Sequence, residues 1–448
     1  MSSLFGTNGV RGIVNETLTS DVALRLGRAI GRYYNGPVAV AADTRVTADM
    51  IKNAVISGLL AEGCNVFNMG VIPIPALQFF IKNNDDILGG VMITASHNTA
   101  EYNGIKCVAS NGDELGEAGK NKIEENYDSD MPSHSQKVGT VTPIWRAGEE
   151  YVEAVMGHVD VPEIKRAKLR VVVDCANGAA SSTTPMLLQR LGVYTVTLNA
   201  NPQGEFPGRP SEPTEENLSD VIALIKAAGA DLGVAHDLDG DRVAFITSEG
   251  RFIPGDVALA LMANYILSKK KGKVVTPVST SSLVQDTVEE NGGQIVYTAV
   301  GSPVVAKKMR EENAVFGGEE SGGMIFPEFQ YCRDPALAIA KMLECIIAKG
   351  PIQEQIDKLP IYYMEKRDIQ CPDDKKEALL NYFIENCSDG KTDTTDGLKV
   401  FFDDGWVVVR PSGTENKFRF FSESKEHETA VARADEFEKE ALEFLSSA

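Results

Sequence analysis

Positive charge is scarce in this chain of 448 residues: Lys and Arg total 44 against 64 Asp and Glu, a net charge of −20. That balance argues against bulk attraction to nucleic acid or to an anionic membrane surface, and a phosphorylated ligand would need cations concentrated locally. Cysteine is sparse too. The 7 cysteines (Cys64, Cys107, Cys175, Cys332, Cys345, Cys371, Cys387) are odd in number, form no Cys-x-x-Cys pair and in several cases sit in apolar runs. They read as reduced core thiols of a cytoplasmic protein, not as a disulfide framework or a zinc site. No apolar run approaches membrane-spanning length, and the opening Met1-Ser2-Ser3-Leu4-Phe5-Gly6 has neither the basic nor the apolar part of a signal, so neither insertion nor export is expected. Also missing are a Gly-x-x-x-x-Gly-Lys-Ser/Thr phosphate loop and a Gly-x-Gly-x-x-Gly opening a helix after the first strand.

The chain is too long for one core, and at about 150 residues per domain it suggests three domains or four. Apolar content of 43% and charged content of 24% are those of a globular protein. Apolar periodicity predicts helix over 21–34 with Ser20 or Asp21 as its cap, strand over 38–42, helix over 48–62, strand over 65–69, helix from 75 and strand over 89–93. The alternation restarts with a strand at 169–174 and again with a helix at 256. From about Ile361 the grammar changes to strands around a hairpin at Asp403-Asp404-Gly405, with helices at 373–386 and 425–445. The expected fold is α/β: three successive related α/β domains with mixed sheets (1–148, 149–251, 252–360) plus a small C-terminal α+β domain (361–448).

Four loops carry candidate chemistry. Thr94-Ala95-Ser96-His97-Asn98 follows the apolar strand Gly89–Ile93, the position at which open α/β sheets bind ligands. Asn103-Gly104 then reads as a tight turn that returns Lys106. His236-Asp237-Leu238-Asp239-Gly240-Asp241-Arg242 places carboxylates at every second position, on one face if the chain is extended, where they would suit Mg²⁺. An EF-hand needs Gly and Glu where Arg242 and Ser248 stand. Asp-Leu-Asp-Gly also resembles the nucleophile motif of haloacid dehalogenase-type phosphatases, in which Thr usually follows the Gly; here it is Asp241. Gly317-Gly318-Glu319-Glu320-Ser321-Gly322-Gly323 offers an acceptor and a hydroxyl, on one side if extended, to sugar hydroxyls. Arg410-Pro411-Ser412-Gly413-Thr414-Glu415-Asn416-Lys417-Phe418-Arg419 reads as a phosphate cradle of backbone N–H groups, hydroxyls and guanidinium forks.

In this order, together with Phe5-Gly6-Thr7-Asn8-Gly9-Val10-Arg11-Gly12, these loops closely resemble the α-D-phosphohexomutase family of phosphoglucomutases, phosphomannomutases and phosphoglucosamine mutases. The resemblance implies that Ser96 carries the transferable phosphoryl group as phosphoserine, with Lys106, Arg11 and His97 as its catalytic neighbours. It also implies that Asp237, Asp239 and Asp241 bind Mg²⁺ with Ser96. Glu319 and Ser321 would hold the sugar, Arg410, Ser412, Gly413, Thr414 and Arg419 the substrate's existing phosphate, and Arg242, with Arg11 and Lys106, would complete the cationic lining around the substrate. A hexose 1,6-bisphosphate would be the activator and a phosphosugar the small-molecule partner, with a monomer or dimer in the cytoplasm and no nucleic acid or membrane partner. Glucosamine 6-phosphate to glucosamine 1-phosphate is the favoured reaction; glucose or mannose phosphate is the alternative within the family. Outside it, the alternatives are a phosphatase using Asp237 and a non-catalytic phosphosugar sensor. Four positions depart from the family pattern: Thr99 and Asn416 stand where Pro is usual, Leu238 where Gly is usual, and Gly323 where many members carry His. Altered rate or specificity is expected from them before loss of activity.

Overall fold

The computed structural model describes residues 4–6, 9–129, 137–387, 391–412 and 416–447. They form two compact units, Met1–Gly255 with Ser321–Gln355, and Asp256–Glu320 with Ile356–Ala448. In the first unit, β1 (Val10–Ile13), β2 (Val38–Ala42), β3 (Val66–Val71), β4 (Gly89–Ile93), β5 (Tyr102–Ala109) and β6 (Val141–Pro143) make one sheet in the order β1-β5-β4-β2-β3-β6. Only β5 runs against its neighbours. Every residue of β2 and β4 is buried, which is why both read as unbroken runs of small and branched residues: they are covered on two faces. Leu26 and Ile30 from helix Ser20–Tyr34, with Ile51 and Val55 from helix Ala48–Ala61, pack with Val38, Val40, Val91 and Ile93 in one apolar core.

A second sheet in this unit contains β7 (Arg170–Asp174), β8 (Tyr194–Leu198), β9 (Leu232–His236), β10 (Val243–Thr247) and β11 (Phe252–Ile253), in the order β11-β10-β9-β7-β8. Strands β8, β7 and β9 are parallel, and β10 and β11 fold back antiparallel. In the second unit, β12 (Lys273–Pro277) lies parallel between β13 (Gln294–Thr298) and β14 (Phe316–Glu319). The chain then returns to the first unit with the antiparallel pair β15 (Gly323–Phe326) and β16 (Gln330–Arg333). The C-terminal segment has a five-stranded antiparallel sheet of β17 (Tyr363–Gln370), β18 (Thr392–Asp393), β19 (Leu398–Phe402), β20 (Gly405–Pro411) and β21 (Lys417–Ser424), ordered β17-β21-β20-β19-β18. Phe383 and Phe437, from helices Asp373–Asn386 and His427–Ser447, close its core over Phe418 and Phe420. The architecture is three α/β domains followed by a C-terminal α+β domain, as the periodicity predicts.

Three local expectations change. Thr19, not Ser20 or Asp21, caps the first helix, because its hydroxyl is the one that reaches an orphan donor, Val22 N, at 3.3 Å. The glycine-punctuated opening contains a strand, β1, that pairs with β5 in the register Arg11 opposite Gly104. Asn103-Gly104 is accordingly no turn but part of β5. A Cβ at Gly104 would lie 2.6 Å from the Thr94 carbonyl and 2.7 Å from that of Val10, so glycine is there for close strand approach.

Candidate active site

The first unit gathers its polar residues at the C-terminal ends of parallel strands. From β4 the chain runs into Ser96, which is buried and holds a left-handed backbone with φ of 51°. A non-glycine residue there costs on the order of 1–3 kcal/mol, and persists only when its surroundings dictate it. Ser96 N donates to Thr94 Oγ1 at 2.9 Å, and Thr94 Oγ1 donates to Asp43 at 2.6 Å. The Ser96 hydroxyl donates to Asp237 Oδ2 at 3.2 Å and lies 3.4 Å from His97 Nδ1.

Asp237 follows β9, and the acidic loop does not continue extended as the alternation argument assumes. It bends through 238–241, with Gly240 at φ 68°, and the bend makes the three carboxylates converge to within 4.8 Å of one another. Leu238 takes no left-handed backbone; it is buried with Ala176 and Phe206, with Ala100 packed against them. Replacing the family's usual glycine therefore adds an apolar contact at no such backbone cost. Asp237 Oδ1 accepts from the backbone N–H groups of Asp241 and Arg242 at 3.2 and 3.1 Å. Lys106 Nζ sits 2.7 Å from Asp239 Oδ2 and 3.7 Å from Asp241 Oδ2, and Arg333 Nη2 lies 2.5 Å from Asp241 Oδ2.

Burial, then repulsion from Asp239 and Asp241, holds the Asp237 carboxyl well above the usual range. Burial pushes Asp239 up as well, but Lys106 and Arg333 outweigh it and keep that carboxyl below its usual range. Burial, then Arg242 and Arg11, brings His97 down to about 4, so its ring is neutral at neutral pH. Asp239 Oδ1 and Asp241 Oδ1 are buried without a hydrogen-bond partner among the described residues. Hard oxygen donors with unengaged lone pairs inside a carboxylate cluster suit a divalent cation that keeps further oxygen ligands from phosphate or water. Both oxygens of Asp237 are engaged, by two backbone donors and by Ser96, which is poor placement for a phosphatase nucleophile.

The remaining candidates are distributed over both units. Arg11 donates to Asn98 Oδ1 at 2.7 Å, and Arg242 Nη1 lies 3.8 Å from Glu212. In the second unit, Glu319 ends β14, buried, with Oε1 accepting from Gly301 N at 3.0 Å. Glu320, Ser321 and Gly322 form a turn, so the extended geometry expected of Glu319 and Ser321 is not adopted; Ser321 is exposed. Arg410 and Arg419 are paired in register across β20 and β21; Arg410 is held by Asp396 at 3.3 Å, and Arg419 lies 3.7 Å from Asp368. The Ser412 carbonyl accepts from Lys376 at 2.8 Å. Gly413 and Thr414, like Thr7 and Asn8, lie outside the described residues.

Several site residues escape the motif reading. Asp43 and Arg45 follow β2 as Ser96 follows β4, and that shared signature was the available signal. Ser211 donates to the His97 carbonyl, and buried Arg209 bridges the His236 carbonyl at 2.6 Å and Asp174 at 3.1 Å. Arg333 has no local signal. It occupies the space left by Gly323, where a Cβ would come 2.1 Å from Arg333 Cδ, so the space a side chain would take at 323 is filled from the neighbouring strand. Gly323→His should expel Arg333 and leave Asp241 without that partner, a loss of about 3 kcal/mol. Denaturant unfolding checks this, and a variant as stable as the parent shows that Arg333 does not need the space.

A strand-end serine against clustered carboxylates and fixed cations, on repeated α/β layers, is the equipment of a phosphoryl-transfer enzyme. Residues 2–133, 149–250 and 254–363 match the phosphoglucomutase/phosphomannomutase α/β/α domains I, II and III, and 369–440 match the C-terminal domain of that family. The chain belongs to the phosphoglucomutase/phosphomannomutase family, whose members are phosphohexomutases. It is 44% identical to a "Phosphoglucomutase/phosphomannomutase" of Thermococcus kodakarensis, covering 96% of each chain. It is 42% identical to a "Probable phosphoglucosamine mutase" of Methanopyrus kandleri, covering 98% of this chain and 97% of the relative. The crystal structure of a phosphoglucomutase/phosphomannomutase family protein from Burkholderia thailandensis superposes with a TM-score of 0.89 at 28% identity, covering 99% of this chain and 97% of that one. Among the described residues no helix is long and apolar enough to cross a membrane.

Proposed function

We propose that this protein interconverts glucosamine 6-phosphate and glucosamine 1-phosphate through a phosphoserine at Ser96 and a bisphosphate intermediate. The observation that carries the reading is the Ser96 hydroxyl 3.2 Å from Asp237, beside Asp239 and Asp241. A phosphoserine brings about −1.5 to −2 charges. The cations that offset it are Lys106, Arg11, Arg242 and Arg333. Asp237, Asp239 and Asp241 would hold Mg²⁺, which when bound neutralises developing charge on the transferring phosphoryl oxygens.

Ser96 Oγ gives its phosphoryl group to the free hydroxyl of the hexose monophosphate, forming one P–O bond as the Ser96 P–O bond breaks, with the proton lost by the sugar hydroxyl balanced by the one gained by Ser96 Oγ. The bisphosphate then turns over, and its other phosphate returns to Ser96. Arg410, Ser412, Gly413, Thr414 and Arg419 anchor whichever phosphate is not reacting, and Glu319 and Ser321 hold sugar hydroxyls. The chain divides into domains at 1–148, 149–251, 252–360 and 361–448, and the protein works in the cytoplasm.

Preference for the amino sugar is supported by Glu319 and Glu320, whose carboxylates tolerate an ammonium group better than cations would, and by the name of the Methanopyrus kandleri relative. Activated identically with glucose 1,6-bisphosphate, the enzyme should show the highest kcat/KM on glucosamine phosphate. A tenfold preference for glucose or mannose phosphate, about 1.4 kcal/mol of transition-state binding, sinks the substrate assignment and spares the mutase. Steady phosphate release with Ser96→Ala fully active points instead to the phosphatase, and sugar-phosphate binding without isomerisation to the sensor.

A further inference from the structure

Beside Ser96, the Arg45 side chain is fully engaged. It is 2% exposed, and it follows β2 at the sheet position next to β4. Its Nε pairs with Asp43 Oδ2 at 3.1 Å; Nη1 donates to the carbonyls of Thr99 and Tyr102 at 2.5 and 2.8 Å, and Nη2 to those of Ser96 and Asn98 at 2.8 and 2.6 Å. A guanidinium has five N–H donors, and here five acceptors take them. Nothing is left over for a substrate. Four of the five acceptors are backbone carbonyls of the single stretch Ser96–Tyr102, so one rigid planar group determines where that loop lies.

The same corner is braced from two further sides. Asp43, which Arg45 holds through both its Nε and its backbone N–H, accepts the Thr94 hydroxyl that in turn accepts Ser96 N. The Arg45 guanidinium lies 5.3 Å from the ring centre of Phe206, and Phe206 packs with Leu238 of the acidic loop. One arginine thus ties the left-handed Ser96 backbone to the element that carries Asp237 and Asp239. Thr99, which lacks the fixed φ of a proline, has its carbonyl pinned by Arg45.

We infer that Arg45 is a positioning residue for phosphoryl transfer: it sets the direction of Ser96 Oγ relative to Asp237 without touching the substrate. This rests on the mutase reading above. A shift of about 1 Å in a reacting group costs on the order of a hundredfold in rate. Arg45→Lys retains the charge but has three donors in place of five, so at least two of the five acceptors lose their partner, at least one of them a loop carbonyl, and the loop loses its planar template.

The test compares wild type, Arg45→Lys and Arg45→Ala, each incubated with glucose 1,6-bisphosphate. It follows phosphate on Ser96 by intact mass, kcat and KM on the preferred hexose phosphate, and folding by near-UV circular dichroism. The expected result for Arg45→Lys is native dichroism, KM within about threefold, and both kcat and the rate of Ser96 loading down about a hundredfold. Should Arg45→Ala not fold, Arg45→Lys decides alone. Turnover within threefold of wild type per folded molecule overturns the assignment, as does a rise in KM with kcat unchanged. Wild-type protein that never gains phosphate on Ser96 overturns the mutase reading and this one with it; loading in wild type with an unimpaired Arg45→Lys overturns this one alone.

Discussion

Ser96→Ala should lower turnover by at least about 10⁴-fold, the order of loss seen when a nucleophile is removed from a concerted site. Intact mass after incubation with a hexose 1,6-bisphosphate should show no added phosphate. The hydroxyl is buried and bonded to Asp237, so stability will not be untouched as it would be at a surface loop. One hydrogen bond to a carboxyl is worth about 1–3 kcal/mol, which leaves a folded protein whose dichroism is native. Residual isomerisation within tenfold of wild type removes Ser96 from the chemistry.

Asp239→Asn should weaken Mg²⁺ binding more than about 100-fold, since disturbing even an outer partner of a metal ligand costs 10 to 100-fold. Turnover should fall by about 10²–10³ with it, the scale of losing one preorganised electrostatic stabiliser. Asp239 is the carboxyl that Lys106 and Arg333 keep ionised most firmly, so the substitution deletes a charge present throughout the working pH range. Calorimetric titration with Mg²⁺ reads the first effect and rate at saturating and limiting metal reads the second. Unchanged affinity takes Asp239 out of the metal site.

How much of this was legible in the sequence depended on whether a residue's role is local. β2, β4, β7 and β9 are buried strands whose apolar runs stood out, and the polar residues just beyond β4 and β9 marked the site, whereas those beyond β2 and at the end of β7 formed no motif and were missed. Asn103-Gly104 misled because that dipeptide is the strongest short hairpin signal; here the need for a residue without a side chain between two close strands prevailed. The acidic loop was found for a geometry it does not adopt, since alternate spacing and a bend both bring carboxylates together. Arg333 was invisible: ten residues separate it from Gly323, and only the antiparallel return of β16 beside β15 makes one the occupant of the other's space. Asp396 and Lys376, which hold Arg410 and Ser412, belong to segments with no motif at all.

The pairing of β1 with β5 makes the position of one cation depend on the length of a strand. Arg11 stands opposite Gly104, and Lys106 is two residues along from Gly104, so both cations share one face of the sheet. Their placement is a matter of parity. Inserting or deleting a single residue between 104 and 106 would turn Lys106 to the opposite face while Arg11 stayed where it is. The strand is therefore held to its count between these positions as strictly as it is held to glycine at 104 and lysine at 106.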